Sequence, residues 1–225
     1  MSSEPVTHEQ FRALAPVVGL TGGVGAGKSK VAAILESFGC VVTRSDDDVR
    51  VEFDEPEVRR ALVSWWGDRV LGPDGAIDRQ AVADIVFHDD AERRRLEALI
   101  HPRVDRRRLE HWDREVRTGG VPPCFVIDAP LLFEAGLADR CDAVIFVDAD
   151  RSERIRRVAA ARGWSEEELD RREKRQWSLD RKRARSDYVV DNRGDLELLQ
   201  PTVEAVFRQI LRDHRRGMAS SETDS

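Results

Sequence analysis

A glycine-rich octapeptide limits the fold of this 225-residue chain more than any other stretch. Residues 22–29 read Gly-Gly-Val-Gly-Ala-Gly-Lys-Ser, which satisfies the spacing G-x-x-x-x-G-K-[ST]. The apolar run PVVGLT (16–21) precedes it, and Val31, Ile34, Leu35 and Phe38 follow at helical spacing until Gly39. A buried strand, a glycine-rich turn and an amphipathic helix, in that order, form a βα unit of a parallel sheet. Glycines let backbone N–H groups converge on phosphate oxygens, and the helix N-terminus adds a favourable dipole. Lys28 is placed to reach the outer phosphates of a nucleotide and Ser29 to hold Mg²⁺. The backbone of Gly23, Val24, Gly25, Ala26 and Gly27 is the expected cradle.

The rest of the chain agrees with an α/β protein. Residues 40–43, 124–129, 143–148 and 188–191 read as four further apolar strands. Helical patterns cover 57–66, 79–87, 91–117, 151–185 and 196–212, with Pro102 marking a break or kink. This predicts a P-loop NTPase-type three-layer sandwich, a five-stranded parallel sheet with helices on both faces. One domain is expected over 16–216, flanked by a flexible extension (1–15) and a disordered tail (217–225), both polar.

Composition narrows the function. The net charge of −6 argues against a broad nucleic-acid surface. No apolar run approaches membrane-spanning length. Three cysteines lie far apart without metal spacing, which predicts reduced thiols and a cytoplasmic location. P-loops also serve GTPases and motor ATPases, but no N-K-x-D guanine-reading motif is present. Helical insertions after strands two and four suit a small-molecule kinase with an acceptor-binding insertion (about 47–118) and an arginine-rich lid (about 151–185).

Several segments together resemble one family. LTGGVGAGKS, Asp46 with Arg50 four residues later, DGAIDR, LIHP, VIDAPLLFEAGL and YVVDN are similar to dephospho-coenzyme A kinase over about residues 16–212. The resemblance implies ATP and Mg²⁺ as cofactors and dephospho-coenzyme A as the small-molecule partner, in a monomer or weak homo-oligomer. It implies that Asp46 accepts the hydroxyl proton and that Arg157 is the lid arginine that approaches the transferring phosphate. Arg50, Arg79, His101, Pro130, Leu131 and Leu132 fall at acceptor-side positions, and Asn192 lies in the turn near the nucleotide. The chain departs from the family at two places. Lys30 stands where Thr is usual beside the nucleotide, and Arg44 where an Asp precedes the base. A second lid arginine is shifted by one, to Arg162.

Other readings stay open. The acceptor could be a nucleoside monophosphate, or the chain could be a degenerate regulatory copy that binds nucleotide without transfer. Asp128 ends an apolar strand as an acid near Mg²⁺ would, or it caps the next turn. His101 could be a helix residue of structural use only. Asp47 and Asp48 read as loop-solvating acids. Most arginines of 151–185 fit a solvated helix face paired with Glu166, Glu167, Glu168, Asp170 and Glu173, and Arg103, Arg106, Arg107 and Arg108 fit another. Arg154 and Arg162 are further candidates for phosphate contact.

Overall fold

The computed structural model of the chain describes residues 6–174, 176–194 and 196–223, and no side chains at 196, 197 and 218–223. The elements run α1 (His8–Leu14), β1 (Val17–Gly22), α2 (Lys28–Ser37), β2 (Val41–Arg44), α3 (Ser45–Asp54), α4 (Pro56–Trp66), α5 (Arg79–His88) and α6 (Asp90–Gly119). They continue with β3 (Phe125–Asp128), β4 (Ala143–Asp148), α7 (Arg151–Arg162), α8 (Glu166–Glu173), α9 (Leu179–Ala184), β5 (Tyr188–Asp191) and α10 (Leu196–Thr223). The chain forms two compact units, one over Arg44–His111 and one from the remainder.

In the larger unit the five strands take the order β2-β3-β1-β4-β5. β1 lies parallel to both β3 and β4, and β4 parallel to β5. Every residue of β1 is buried, as a central strand covered on both faces requires. Val31, Ala32 and Leu35 of α2 and Leu199, Val203, Phe207 and Ile210 of α10 cluster with Val18, Leu20, Val126, Ile145, Val147 and Val190 of the sheet. Phe11, Trp112 and Phe125 form a second aromatic cluster, with ring centroids 4.7–5.4 Å apart.

That cluster corrects the expectation of a flexible extension. Thr7 and Gln10 close a capping box around α1, Phe11 is buried, and Arg12 donates to Asp142 at 2.6 and 2.8 Å. Residues 1–5 of that extension lie outside the described residues. The C-terminal end also differs from expectation: α10 continues through Gly217 to Thr223, and residues 224–225 lie outside the description. Gly217 does not adopt the left-handed conformation that ends a helix, so it only weakens α10 locally. Over 151–185 one helical run becomes three. Gly163, at φ 66°, stops α7, while Ser165 and Ser178 cap α8 and α9 with their side chains.

The smaller unit has its own core of Phe53, Val58, Leu62, Trp66, Val70, Ile77, Val82, Ile100 and Val104. α6 passes through Pro102 without interruption, held by the buried Ile100 and Val104 that flank it. Asp47 and Asp48, expected as loop-solvating acids, lie in the helix over residues 45–54. Asp46, Asp47 and Asp48 occupy the first turn, where acids favour the helix dipole. Among the described residues no helix is long and apolar enough to cross a membrane.

Candidate active site

Strand ends build the site of the larger unit. Gly22, Asp128, Asp148 and Asp191 are the last residues of β1, β3, β4 and β5, so they share the carboxyl edge of the sheet where open α/β folds bind ligands. From Gly22 the loop climbs to Gly27, which opens α2 without a side-chain cap. The first N–H groups of α2 are therefore left for an anion.

Two glycines are required by geometry. Gly25 (φ 77°) and Gly27 (φ 92°) are left-handed, a conformation that disfavours a Cβ. A Cβ at Gly25 would stand 2.8 Å from the Arg154 carbonyl and from Val158 Cγ1, and one at Gly27 would collide with Asn192 Nδ2. The cradle is therefore pressed closely from α7 and from the turn after β5.

Lys28 is not idle. Its Nζ is paired with Asp128 Oδ1, and both side chains are largely buried. The strand-end acid is thus bonded across to the P-loop lysine rather than capping its own turn. Ser29 and Lys30 are exposed at the start of α2. Asn192 Nδ2 donates to the Ala26 carbonyl at 2.7 Å. Arg157 donates to the same carbonyl at 3.3 Å and to the Asn192 carbonyl at 3.0 Å. The Asn192 side chain is 2% exposed, and its Oδ1 is buried with no hydrogen-bond partner among the described residues. Lys28 thus meets Asp128, and Ala26 meets Arg157 and Asn192, all on or against the one loop.

The reserve arginines separate. Arg154 is buried, pairs with Glu173 and donates to the Ala149 carbonyl at 3.3 Å and to the Val24 carbonyl of the loop at 3.5 Å, so its donors are taken by the protein. Arg162 and Arg172 lie over the Trp164 ring at 4.7 and 3.9 Å. Arg151 pairs with Glu166 and Asp170, and Arg171 and Arg172 with Glu168, as a solvated face does.

After β3, Pro130 and Leu131 are accessible, Leu131 at 45%, but Leu132 is wholly buried. Its methyls pack where a Cβ on Gly19 would sit, at 2.6 and 3.3 Å. Lys182 escaped the reading of the sequence. Lys182 sits in the basic run Arg181–Arg183, yet it is completely buried and lies 3.0 Å from Glu134 Oε1.

The smaller unit carries the remaining candidates. Asp46 and Arg50 stand one turn apart on α3, both exposed. Arg44 is the N-cap of that helix and makes no side-chain cap bond, whereas an Asp there would accept one. Asp48 does more than solvate a loop. Burial raises its pKa above the ordinary value, against the pull of Arg108 and Arg107. Arg79 opens α5, 3.8 Å from Asp54, and His101 is exposed on α6. Arg103 and Arg107 pair with Glu52, Glu55 and Glu57, so that basic cluster is internally neutralised.

Known proteins point the same way as this geometry. A family model described as dephospho-CoA kinase matches residues 16–197. A dephospho-CoA kinase of Geobacter sulfurreducens is 41% identical over 192 residues, which cover 85% of this chain and 96% of the relative. One from Thermobifida fusca is 40% identical over 197 residues, covering 87% and 96%. A crystal structure from Thermus thermophilus superimposes with a TM-score of 0.74 at 36% identity, covering 87% of this chain and 97% of the other. The fold is also that of a dephospho-CoA kinase from Campylobacter jejuni, with a TM-score of 0.61 at 21% identity and coverage of 88% and 98%. With a complete phosphate loop, its lysine bonded to a strand-end acid and a match spanning nearly the whole sheet, the chain belongs to the dephospho-CoA kinase family.

Proposed function

We propose that the protein moves the γ-phosphoryl group of ATP to the ribose 3′-hydroxyl of dephospho-coenzyme A, giving coenzyme A and ADP, the last step of coenzyme A biosynthesis. The observation that carries this is the assembled loop of the larger unit: Lys28 held by Asp128, and the Ala26 carbonyl held by both Arg157 and Asn192. A nucleotide suits it. The uncapped α2 N-terminus offers N–H donors to phosphate, and the orphaned Asn192 Oδ1 offers a buried acceptor to a ligand donor.

Each residue then has a task. Gly23, Val24, Gly25, Ala26 and Gly27 bind phosphate oxygens through the backbone, and Lys28 binds the outer phosphates. Ser29 and Asp128 are oxygen donors of the kind Mg²⁺ takes together with substrate phosphates and water. When bound, Mg²⁺ neutralises part of the phosphate charge. Arg157 leaves its carbonyl partners to meet the transferring group, and Lys30 makes a looser charge contact near the α-phosphate. Asp46 orients the 3′-hydroxyl and takes its proton as the oxygen–phosphorus bond forms and the β–γ bridging bond breaks. Arg50, Arg79, His101, Pro130 and Leu131 serve the acceptor. Leu132, fully buried, supports that segment from below. The buried free thiols of Cys40 and Cys124 suit a reducing cytoplasm. We take the working form as a monomer or weak homo-oligomer.

The test is ADP release from Mg-ATP with dephospho-coenzyme A, AMP, UMP, CMP or no acceptor. ADP is expected with dephospho-coenzyme A alone. Release with another acceptor would replace the substrate, and ATP binding without release would turn the protein into a regulatory copy.

A further inference from the structure

Lys182 sits on the short helix α9 among exposed basic residues, yet its side chain is 0% exposed. An ammonium taken out of water is unfavourable unless its three donors all find acceptors. Here they do. Nζ donates to the Pro130 carbonyl at 2.7 Å and to Gln176 Oε1 at 2.8 Å, and it lies 3.0 Å from Glu134 Oε1. Burial lowers the Lys182 pKa from its ordinary value, and Glu134 opposes that shift.

The partners form a frame. Glu134 Oε1 also accepts from the Trp177 backbone N–H at 2.7 Å. The Trp177 ring stacks on Phe133, with centroids 5.6 Å apart and planes inclined by 5°. Both ends of the segment Pro130–Glu134 are thereby fastened to the stretch from Gln176 to Lys182 at the base of the lid. Pro130 lies two residues after Asp128, which holds Lys28, and its carbonyl also accepts from Thr21 Oγ1 at 3.5 Å, one residue before the loop begins. Arg183 on the same helix shows the contrast: it is exposed and finds Asp148 at 2.7 Å.

We infer that Lys182 is a positioning residue for the phosphoryl acceptor: from inside the fold it fixes the Pro130 carbonyl and the Glu134 carboxylate, and so sets the segment that presents Leu131. The inference rests on the reading above that this segment faces the acceptor. Lys182 itself touches no substrate.

The experiment uses the full chain with Lys182→Met. Steady-state kinetics with dephospho-coenzyme A, calorimetric binding of Mg-ATP and amide hydrogen exchange are compared with the wild type. KM for the acceptor is expected to rise at least about tenfold while Kd for Mg-ATP stays within about threefold. Exchange should quicken over residues 131–137 and stay unchanged over 17–22. A merely structural lysine would weaken both ligands alike or loosen both segments, and either result overturns the inference, as does an acceptor KM within about threefold of wild type. If Lys182→Met does not fold, Gln176→Leu, which removes only one acceptor, carries the same criteria. A wild-type protein that ignores dephospho-coenzyme A defeats the acceptor reading instead, and the exchange comparison still decides whether Lys182 fastens the segment.

Discussion

Gly27→Ala separates backbone strain from collision in the phosphate loop. At φ 92° a non-glycine residue is strained by about 1–2 kcal/mol. The new Cβ would fall inside 3.0 Å of Asn192 Nδ2, and Asn192, 2% exposed, has no open path aside. Displacing it breaks the 2.7 Å bond to the Ala26 carbonyl, worth about 1–3 kcal/mol because the buried Asn192 Nδ2 donor loses its acceptor, while the carbonyl keeps Arg157 at 3.3 Å. The total is about 2–5 kcal/mol, or a fall in Tm of about 4–20 °C at roughly 2–4 °C per kcal/mol. Gly163→Ala is the control. It is also left-handed, at φ 66°, but a Cβ there meets nothing within 4 Å, so it carries the strain alone. Calorimetric melting of both variants, with Mg-ATP binding, makes the test. Gly27→Ala should melt below Gly163→Ala and bind nucleotide at least about tenfold more weakly, since the bonds it breaks hold the cradle. Equal melting temperatures, or unchanged binding, would refute the claim that Asn192 and the loop are locked together.

Two further outcomes follow from the same reasoning. Asp46→Asn should lower kcat by at least about a hundredfold while Mg-ATP still binds, because a positioned base contributes roughly 10²–10⁴-fold; equal turnover would remove Asp46 as the base. Tyr188 is the sole tyrosine, and burial, with help from Asp213 at 2.7 Å, pushes its pKa up to about 12. A raised folded pKa means that its stabilisation is complete below the unfolded value near 10 and is lost as pH climbs through about 12. Tyrosinate absorbance should therefore appear about two units higher in the native protein than in urea, and Tyr188→Phe should flatten stability against pH over that window. Coincident native and unfolded titrations would show that the phenol is not held by Asp213.

Much of the larger unit could be read from its residues because its central strands β1, β3 and β4 are buried on both faces and its edge strands are short apolar runs. Residues 143–148 and 188–191 are continuous apolar runs, and they became β4 and β5 with those bounds. The loop was legible because its spacing is itself the geometry. α3 was not, since SDDDVRVEFD begins with three acids that look like solvated loop, although a first helical turn accommodates them well. α1 had a signal in Thr7-x-x-Gln10, masked by the polar residues around it. Lys182 had none. Within Arg181–Arg183 every residue reads as surface, and the acceptors that make one of them interior include the carbonyl of Pro130, 52 positions away, and Glu134. The burial of Leu132 beside the exposed Leu131 likewise depends on Gly19 of the neighbouring strand leaving room for it. What the sequence hid were polar and apolar choices settled by distant backbone.

The Ala26 carbonyl has a consequence for discrimination among anions. Arg157 is bonded to two neutral carbonyls with Glu153 3.7 Å away, and Lys28 is bonded to Asp128. Neither cation is bare. A stray sulfate or phosphate ion must displace these partners with a single cluster of oxygens, and gains little over what it removes. On the roles proposed above, a triphosphate would engage the loop amides, Lys28 and Arg157 together, so that one binding event would replace the lost bonds. On the proposed roles of these residues, the site ignores small anions at cellular concentration by keeping its charges occupied, not by excluding them through shape.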